Sequence, residues 1–303
     1  MNKGLIYPPR LKKDDKVLIT SPSGKIDKHL IKGLKTRLIK WGLDPILGKN
    51  AISKSGSYAG TIKQRLNDLQ FGLDNDNIKA IFCSRGGYGS IHLIEHLNLS
   101  KFEENPKWLI GYSDITVLHS FLFRKGFASI HAPMARHFTV EPEDDASLTF
   151  LQKQLEGNPT HYTIKTHPYN HKGKASGILI GGNFSVLQGL RSTPLDIQAK
   201  GSILYIEDIN ENPYAIERML YNLKLSGVLE DLSGLIIGQF TVSPEDKDIS
   251  QKVYEYIRDL LKPYKYPICY NFPIGHLTNN YPIINGAFAE LEVNRGSVEL
   301  KFG

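Results

Sequence analysis

Three short apolar runs constrain what this chain can fold into. Each is followed at once by a turn rich in Gly or Ser and then by a helix-like stretch. Lys16-Val17-Leu18-Ile19-Thr20 runs into SPSG, after which residues 27–41 repeat apolar side chains at helical spacing. Lys79-Ala80-Ile81-Phe82-Cys83 runs into SRGGYGS and then IHLIEHL. Trp108-Leu109-Ile110 runs into GYSDIT and then VLHSFLFRKG, which closes on Gly126. Strands that are apolar throughout must be covered on both faces, and repeated β-turn-α units supply that cover as a parallel sheet with helices on either side. The predicted class is α/β. Sites in such sheets collect beyond the carboxyl ends of the strands, where both SRGGYGS and GYSDIT fall.

The alternation lapses over EGNPTHYTIKTHPYNHKGK, which is polar and rich in Pro, Gly and His. We place a linker at 157–174, an N-terminal α/β domain at 1–156 and a C-terminal, β-rich domain at 175–303. The strand signals of the second half are ASGILIGG, SILYIED, SGLIIGQF and YPICYNF, with helices predicted over 213–223 and 251–261. AFAELEVNRGSVELKF alternates about Asn294-Arg295-Gly296 and reads as a hairpin. With 303 residues, 41% of them hydrophobic, the chain can bury one large core or two ordinary ones. Its net charge of +6 is scattered, as in Lys12, Lys13 and Lys16, which suits anionic small substrates rather than nucleic acid. Cys83 and Cys269, the two cysteines, both sit in apolar strands and read as buried thiols of a reducing compartment. The start shows no apolar signal core and no run is long enough to span a bilayer, so the expectation is a cytoplasmic protein.

Several residue groups could carry chemistry. Ser113 sits at a strand-to-helix turn, the place where an elbow exposes a nucleophilic hydroxyl, yet Ile115 stands where the usual G-x-S-x-G would have its second Gly. The other reading of Ser113 is a helix N-cap. Gly86, Gly87 and Gly89 let a loop turn sharply and present N–H groups to a ligand, but match neither a dinucleotide nor a Walker pattern. His92-Leu93-Ile94-Glu95-His96 spells H-x-x-E-H, which on an α-helix puts His92 and His96 on one face at zinc-binding spacing; the ordinary reading is an amphipathic helix. A serine nucleophile needs a base and an orienting acid. His276, read as following a strand and opening the loop TNNYP, can supply the base. Glu207 and Asp208 end the apolar run Leu204-Tyr205-Ile206 and compete for the acid.

Four of these strings, SRGGYGS, IGYSDIT, LYIED and FPIGH, in this order and at these distances, resemble the LD-carboxypeptidases. That family comprises serine peptidases, including muramoyl-tetrapeptide carboxypeptidases and microcin C immunity peptidases. YAGTIKQRLNDL, GGNFSVL and PYAIERML add to the likeness, which spans essentially the whole chain. The resemblance implies an N-terminal domain like that of class I glutamine amidotransferases, a smaller β-rich C-terminal domain, and a Ser-Glu-His triad in a cleft between them. Carried over by motif, Ser113 is the nucleophile, Glu207 the orienting acid and His276 the base, with the backbone N–H groups of Gly87 and Asp114 as the oxyanion hole. Arg85 and Gly86 would face the substrate, Arg85 either binding its terminal carboxylate or bracing the loop. The other reading of Asp114 is a side chain that caps the helix starting there. No metal or cofactor is required, the substrate would be the cytoplasmic murein tetrapeptide, and family members are typically homodimers. Immunity peptidases carry aromatic residues that stack on a nucleobase; between Gly182 and Gly201 this chain has Phe184 alone.

Overall fold

The computed structural model describes residues 5–158, 160–241 and 247–302. They form two units, Met1–Pro159 with Tyr281–Asn285, and Thr160–Asn280 with Gly286–Gly303.

In the first unit the strands are β1 (Lys16–Thr20), β2 (Asp44–Leu47), β3 (Ile78–Cys83), β4 (Trp108–Gly111) and β5 (Ser129–His131). The later strands are β6 (His161–Lys165), β7 (Gly173–Asn183), β8 (Ile203–Ile209), β9 (Gly234–Thr241), β10 (Ile268–Cys269), β11 (Ile283–Asn285), β12 (Phe288–Val293) and β13 (Ser297–Phe302). The first sheet runs β11-β5-β4-β3-β1-β2, parallel except for β11, which pairs antiparallel with β5. Its strands are the apolar runs read from the sequence, and Val17, Ile19, Ala80, Phe82, Ile110 and Ile130 are buried in one cluster. The helix Lys28–Lys40 buries Ile31, Leu34 and Leu38, its apolar stripe at helical spacing. The helix Ile62–Asp74 starts on a capping box, in which Thr61 accepts from the Gln64 N–H and Gln64 accepts from the Thr61 N–H.

The second sheet runs β10-β9-β8-β7-β12-β13-β6. The strands β7 to β10 are parallel, and β12, β13 and β6 add antiparallel to the other side of β7. Helices Pro213–Leu225 and Lys247–Leu261 accompany it. The predicted hairpin is present: β12 pairs with β13, and Asn294 N–H donates to the Ser297 carbonyl.

Three expectations need correction. The stretch read as a linker, apart from Pro159, which lies outside the described residues, contains β6, paired with β13 from Lys165–Ser297 to His161–Lys301. Its polarity is that of a half-exposed edge strand, where only Tyr162 is buried. The segment IHLIEHL is a 3₁₀ helix, Ser90–His96, and not an α-helix. The stretch before His276 is irregular rather than a strand, since regular pairing in YPICYNF ends at Cys269.

Candidate active site

At the carboxyl end of β4 the chain turns through Tyr112 and Ser113 into a single 3₁₀ turn, Ser113–Ile115, and then the helix Thr116–Arg124. Ser113 has φ +64°, a left-handed conformation that costs a residue with a Cβ roughly 1–3 kcal/mol. The residues at the N-cap positions are Tyr112 and Ile115, so Ser113 is not the cap. Instead, the turn lifts its side chain toward the glycine loop. A Cβ placed on Gly86 would lie 2.7 Å from both Cβ and Oγ of Ser113 and 3.3 Å from the Asp114 nitrogen. Glycine is required at 86 by this close approach. The N–H groups that open a helical turn have no partner within it, and Asp114 stands in that first turn. Gly87, at φ +101°, follows in the loop.

Asp114 does not cap its helix. Its carboxylate is buried, and Oδ2 accepts the Ser90 N–H at 2.8 Å, tying the far end of the glycine loop to the serine turn. Arg65, also buried, donates from Nη1 to the carbonyls of Pro22 at 2.7 Å and Gly89 at 2.8 Å, so a third loop joins the same lattice of bonds. The exposed Arg85 donates from Nη1 to the Lys25 carbonyl at 2.6 Å, which braces the loop in the way one of its two readings required.

His92 contacts Arg65 through Nδ1 at 3.3 Å. A 3₁₀ helix turns through three residues, so His92 and His96 lie about 120° apart and do not share the face an α-helix would give them. Among the described residues no three His, Cys, Asp or Glu side chains gather as a metal site.

The second unit builds a separate constellation. Glu207 and Asp208 lie where the pairing of β8 with β9 slips register between Ile206 and Asp208. Such an irregularity re-aims side chains, and here both carboxylates are buried. Asp208 turns to the start of the helix Phe184–Gly189: Oδ2 accepts the Ser185 N–H at 2.8 Å, and Oδ1 accepts Asn183 Nδ2–H and its neighbour's Ile209 N–H, each at 2.9 Å. Burial and the charge of Glu207 raise the Asp208 pKa to about 6 against the pull of those bonds. Glu207 faces His276, whose Nδ1–H donates to Oε2 at 2.8 Å; side-chain exposures are 0% and 14%. Burial disfavours the imidazolium, but the charge and hydrogen bond of Glu207, with Asp208 behind it, outweigh burial and hold the His276 pKa above its ordinary value. His276 reaches this place because the segment before it is pinned: Phe272 N–H donates to the Ile237 carbonyl, Gln239 N–H to the Ile274 carbonyl and Gly275 N–H to Asn280 Oδ1. Gly275, at φ +125°, would bring a Cβ to 3.0 Å from Glu207 Oε2.

Residues 17–132 match the description "LD-carboxypeptidase N-terminal domain" and residues 176–291 match "LD-carboxypeptidase C-terminal domain". The probable murein peptide carboxypeptidase of Bacillus subtilis is 32% identical over 99% of this chain and 96% of its own length. The murein tetrapeptide carboxypeptidase of Pseudomonas aeruginosa is 32% identical over 93% and 94%. The chain belongs to the LD-carboxypeptidase family. Its fold is that of the muramoyltetrapeptide carboxypeptidase crystal structure from Oxalobacter formigenes, with TM-score 0.84 at 26% identity over 95% of this chain and 98% of that one. The microcin C7 self-immunity protein MccF shares the fold too, with TM-score 0.86 at 22% identity over 98% of each chain.

As an LD-carboxypeptidase the chain is a serine-type carboxypeptidase acting on a peptide. Two site features were missed in the sequence. The buried Arg65 lies in KQRLNDL as an unremarkable helix cation, and only its long-range bonds to Pro22 and Gly89 reveal its place. Asn183 and Ser185, within GGNFSVL, bind Asp208, a partnership visible only once β7 and β8 are side by side.

Proposed function

We propose that this LD-carboxypeptidase releases the terminal D-alanine from murein tetrapeptide, for peptidoglycan recycling, by a Ser113-His276-Glu207 triad. The Glu207–His276 pair carries the proposal. A buried carboxylate bound to Nδ1–H sets the tautomer of the neutral imidazole so that Nε2 is its basic nitrogen, the state a serine nucleophile needs. His276 takes the proton of Ser113 as Oγ attacks the carbonyl carbon. The imidazolium so formed is stabilised by Glu207 and then protonates the departing amine. Water, activated by the same histidine, releases the acyl-enzyme. The backbone N–H groups of Gly87 and Asp114 receive the oxyanion, each donor worth about 3 kcal/mol of barrier. The left-handed turn at Ser113 and its approach to Gly86 support these roles.

The relatives named for murein peptides support the substrate. For an immunity role a nucleobase would need an aromatic face, and Phe184 is buried against Phe240. The cytoplasmic homodimer that the resemblance implies belongs to the same proposal.

The test is mass spectrometry of D-alanine release from L-Ala-γ-D-Glu-meso-diaminopimelate-D-Ala with EDTA present, the Lys tetrapeptide alongside. Wild type releases D-alanine and Ser113→Ala does not. Release by Ser113→Ala overturns the triad, and no release from either peptide by the wild type overturns the substrate.

A further inference from the structure

One buried histidine takes no part in the mechanism above. His119 lies on the helix Thr116–Arg124, six residues after Ser113, and is completely shielded from solvent. Its two ring nitrogens both have partners: Nε2 lies 2.8 Å from the Gly111 carbonyl oxygen and Nδ1 lies 2.8 Å from Ser129 Oγ. A carbonyl can only accept, so Nε2 carries the hydrogen, and Nδ1 of the neutral ring accepts from the Ser129 hydroxyl. Burial lowers the pKa to about 4, against the favourable pull of Gly111, so the ring is neutral in the working range of pH. Gly111 already accepts the Ala132 N–H at 3.1 Å, as part of the pairing of β4 with β5. The histidine is a second donor on the same oxygen.

Gly111 and His119 bracket Ser113. The bond between them closes the strand-turn-helix segment into a ring, and Ser129 anchors that ring to β5. A left-handed serine persists only where its surroundings over-determine it. No side-chain cap holds either helical turn here; the turn is gripped by the Asp114 carboxylate on the Ser90 N–H and by His119 at the carbonyl end of β4.

We propose that His119 is a positioning residue for the reaction: its Nε2–H holds the Gly111 carbonyl and thereby keeps Ser113 in the backbone conformation from which Oγ attacks. The inference rests on Ser113 being the nucleophile. His119 touches no substrate and moves no proton. Its loss leaves the carbonyl still bound by Ala132, so the sheet stays paired while the turn relaxes.

The variants are His119→Leu, which fills the space without a donor, and His119→Gln, whose amide nitrogen can reach Gly111 in place of Nε2. Each is assayed for kcat and KM of D-alanine release, and for the rate at which a fluorophosphonate labels Ser113, well below its own Tm. His119→Leu lowers kcat and the labelling rate together by about 10–100-fold with KM little changed, as expected for a small misplacement of a reacting atom. His119→Gln recovers most of both. Wild-type labelling and kcat in folded His119→Leu overturn the inference, and so does equal loss in the Leu and Gln variants. Should the Leu variant not fold, His119→Asn replaces it, since its shorter amide reaches toward Ser129 but not Gly111. Ser113→Ala runs in parallel. If it still hydrolyses the peptide, the nucleophile assignment falls. If it is inert and unlabelled while His119→Leu behaves as wild type, the positioning role alone falls.

Discussion

Glu207 acts on His276 through one bond and one charge, and Gln in its place removes the charge while its amide oxygen can still accept from Nδ1–H. The imidazole must be neutral to accept the serine proton, so kcat/KM falls as pH drops through the His276 pKa, which Glu207 holds above 6.5. In Glu207→Gln the charge is gone and burial, which lowers the pKa, is opposed by less. The acid limb of the kcat/KM profile should therefore move to lower pH, while the maximum falls by on the order of 10²-fold or more. A limb that stays in place in Glu207→Gln would show that Glu207 does not set the titration. The sign for stability is the reverse. Because the folded pKa is raised, the pair stabilises the protein fully below about pH 6.5, the ordinary imidazole value, and this contribution is lost as pH rises through the raised value. At this scale residue chemistry alone leaves Glu207 and Asp208 as rivals, and only the likeness of the motif to the family favours Glu207. Two adjacent carboxylates look equivalent in LYIED, and the slip of β8 against β9 is what sends one to His276 and the other to a helix start.

Among the elements, that second carboxylate does a structural job. Asp208 gathers donors from Asn183, Ser185 and Ile209, and so fastens the helix Phe184–Gly189 to the strand that carries Glu207. Asp208→Ala should leave these donors, the buried Asn183 amide among them, without their acceptor and destabilise the protein by about 1–3 kcal/mol. Calorimetry would read it as a lower Tm, with kcat well below that Tm changed far less than in Glu207→Gln. A loss of kcat equal to that of Glu207→Gln, with Tm unmoved, would make Asp208 the orienting acid instead. The elements themselves were legible where periodicity was long: Lys28–Lys40 and Pro213–Leu225 stand within two residues of their predicted ends. H-x-x-E-H was misread because seven residues bounded by the left-handed Gly89 and extended Leu97 close as a 3₁₀ turn, a choice that apolar spacing does not encode.

On the scale of the molecule, chain order and spatial order part company at Tyr281–Asn285. This segment follows His276 yet belongs to the first unit, where β11 covers the open edge of β5, Tyr281 packs on Phe150 and Gln154 donates to the Pro282 carbonyl. A fragment of residues 1–159 lacks β11 and exposes the edge of β5, a template for pairing with other chains. It should self-associate in size-exclusion chromatography, and joining 281–285 to it through a flexible tether should return a monomer. A monomeric, fully folded 1–159 would mean β11 is dispensable for that edge.

By itself the sequence determined the β-turn-α alternation of the first unit, the hairpin of β12 and β13, and the turn on which Ser113 sits. Those features rest on interactions between near neighbours, which local letters encode: apolar period, glycine at a tight approach, a turn between two strands. Only the tertiary structure decided that β6 is a strand, that β11 crosses to the first sheet, that Asp114 binds Ser90 and that His119 grips Gly111. Each of these depends on a partner brought near by packing of the whole unit. A polar five-residue stretch or a three-residue strand carries too little local preference to declare itself without that partner.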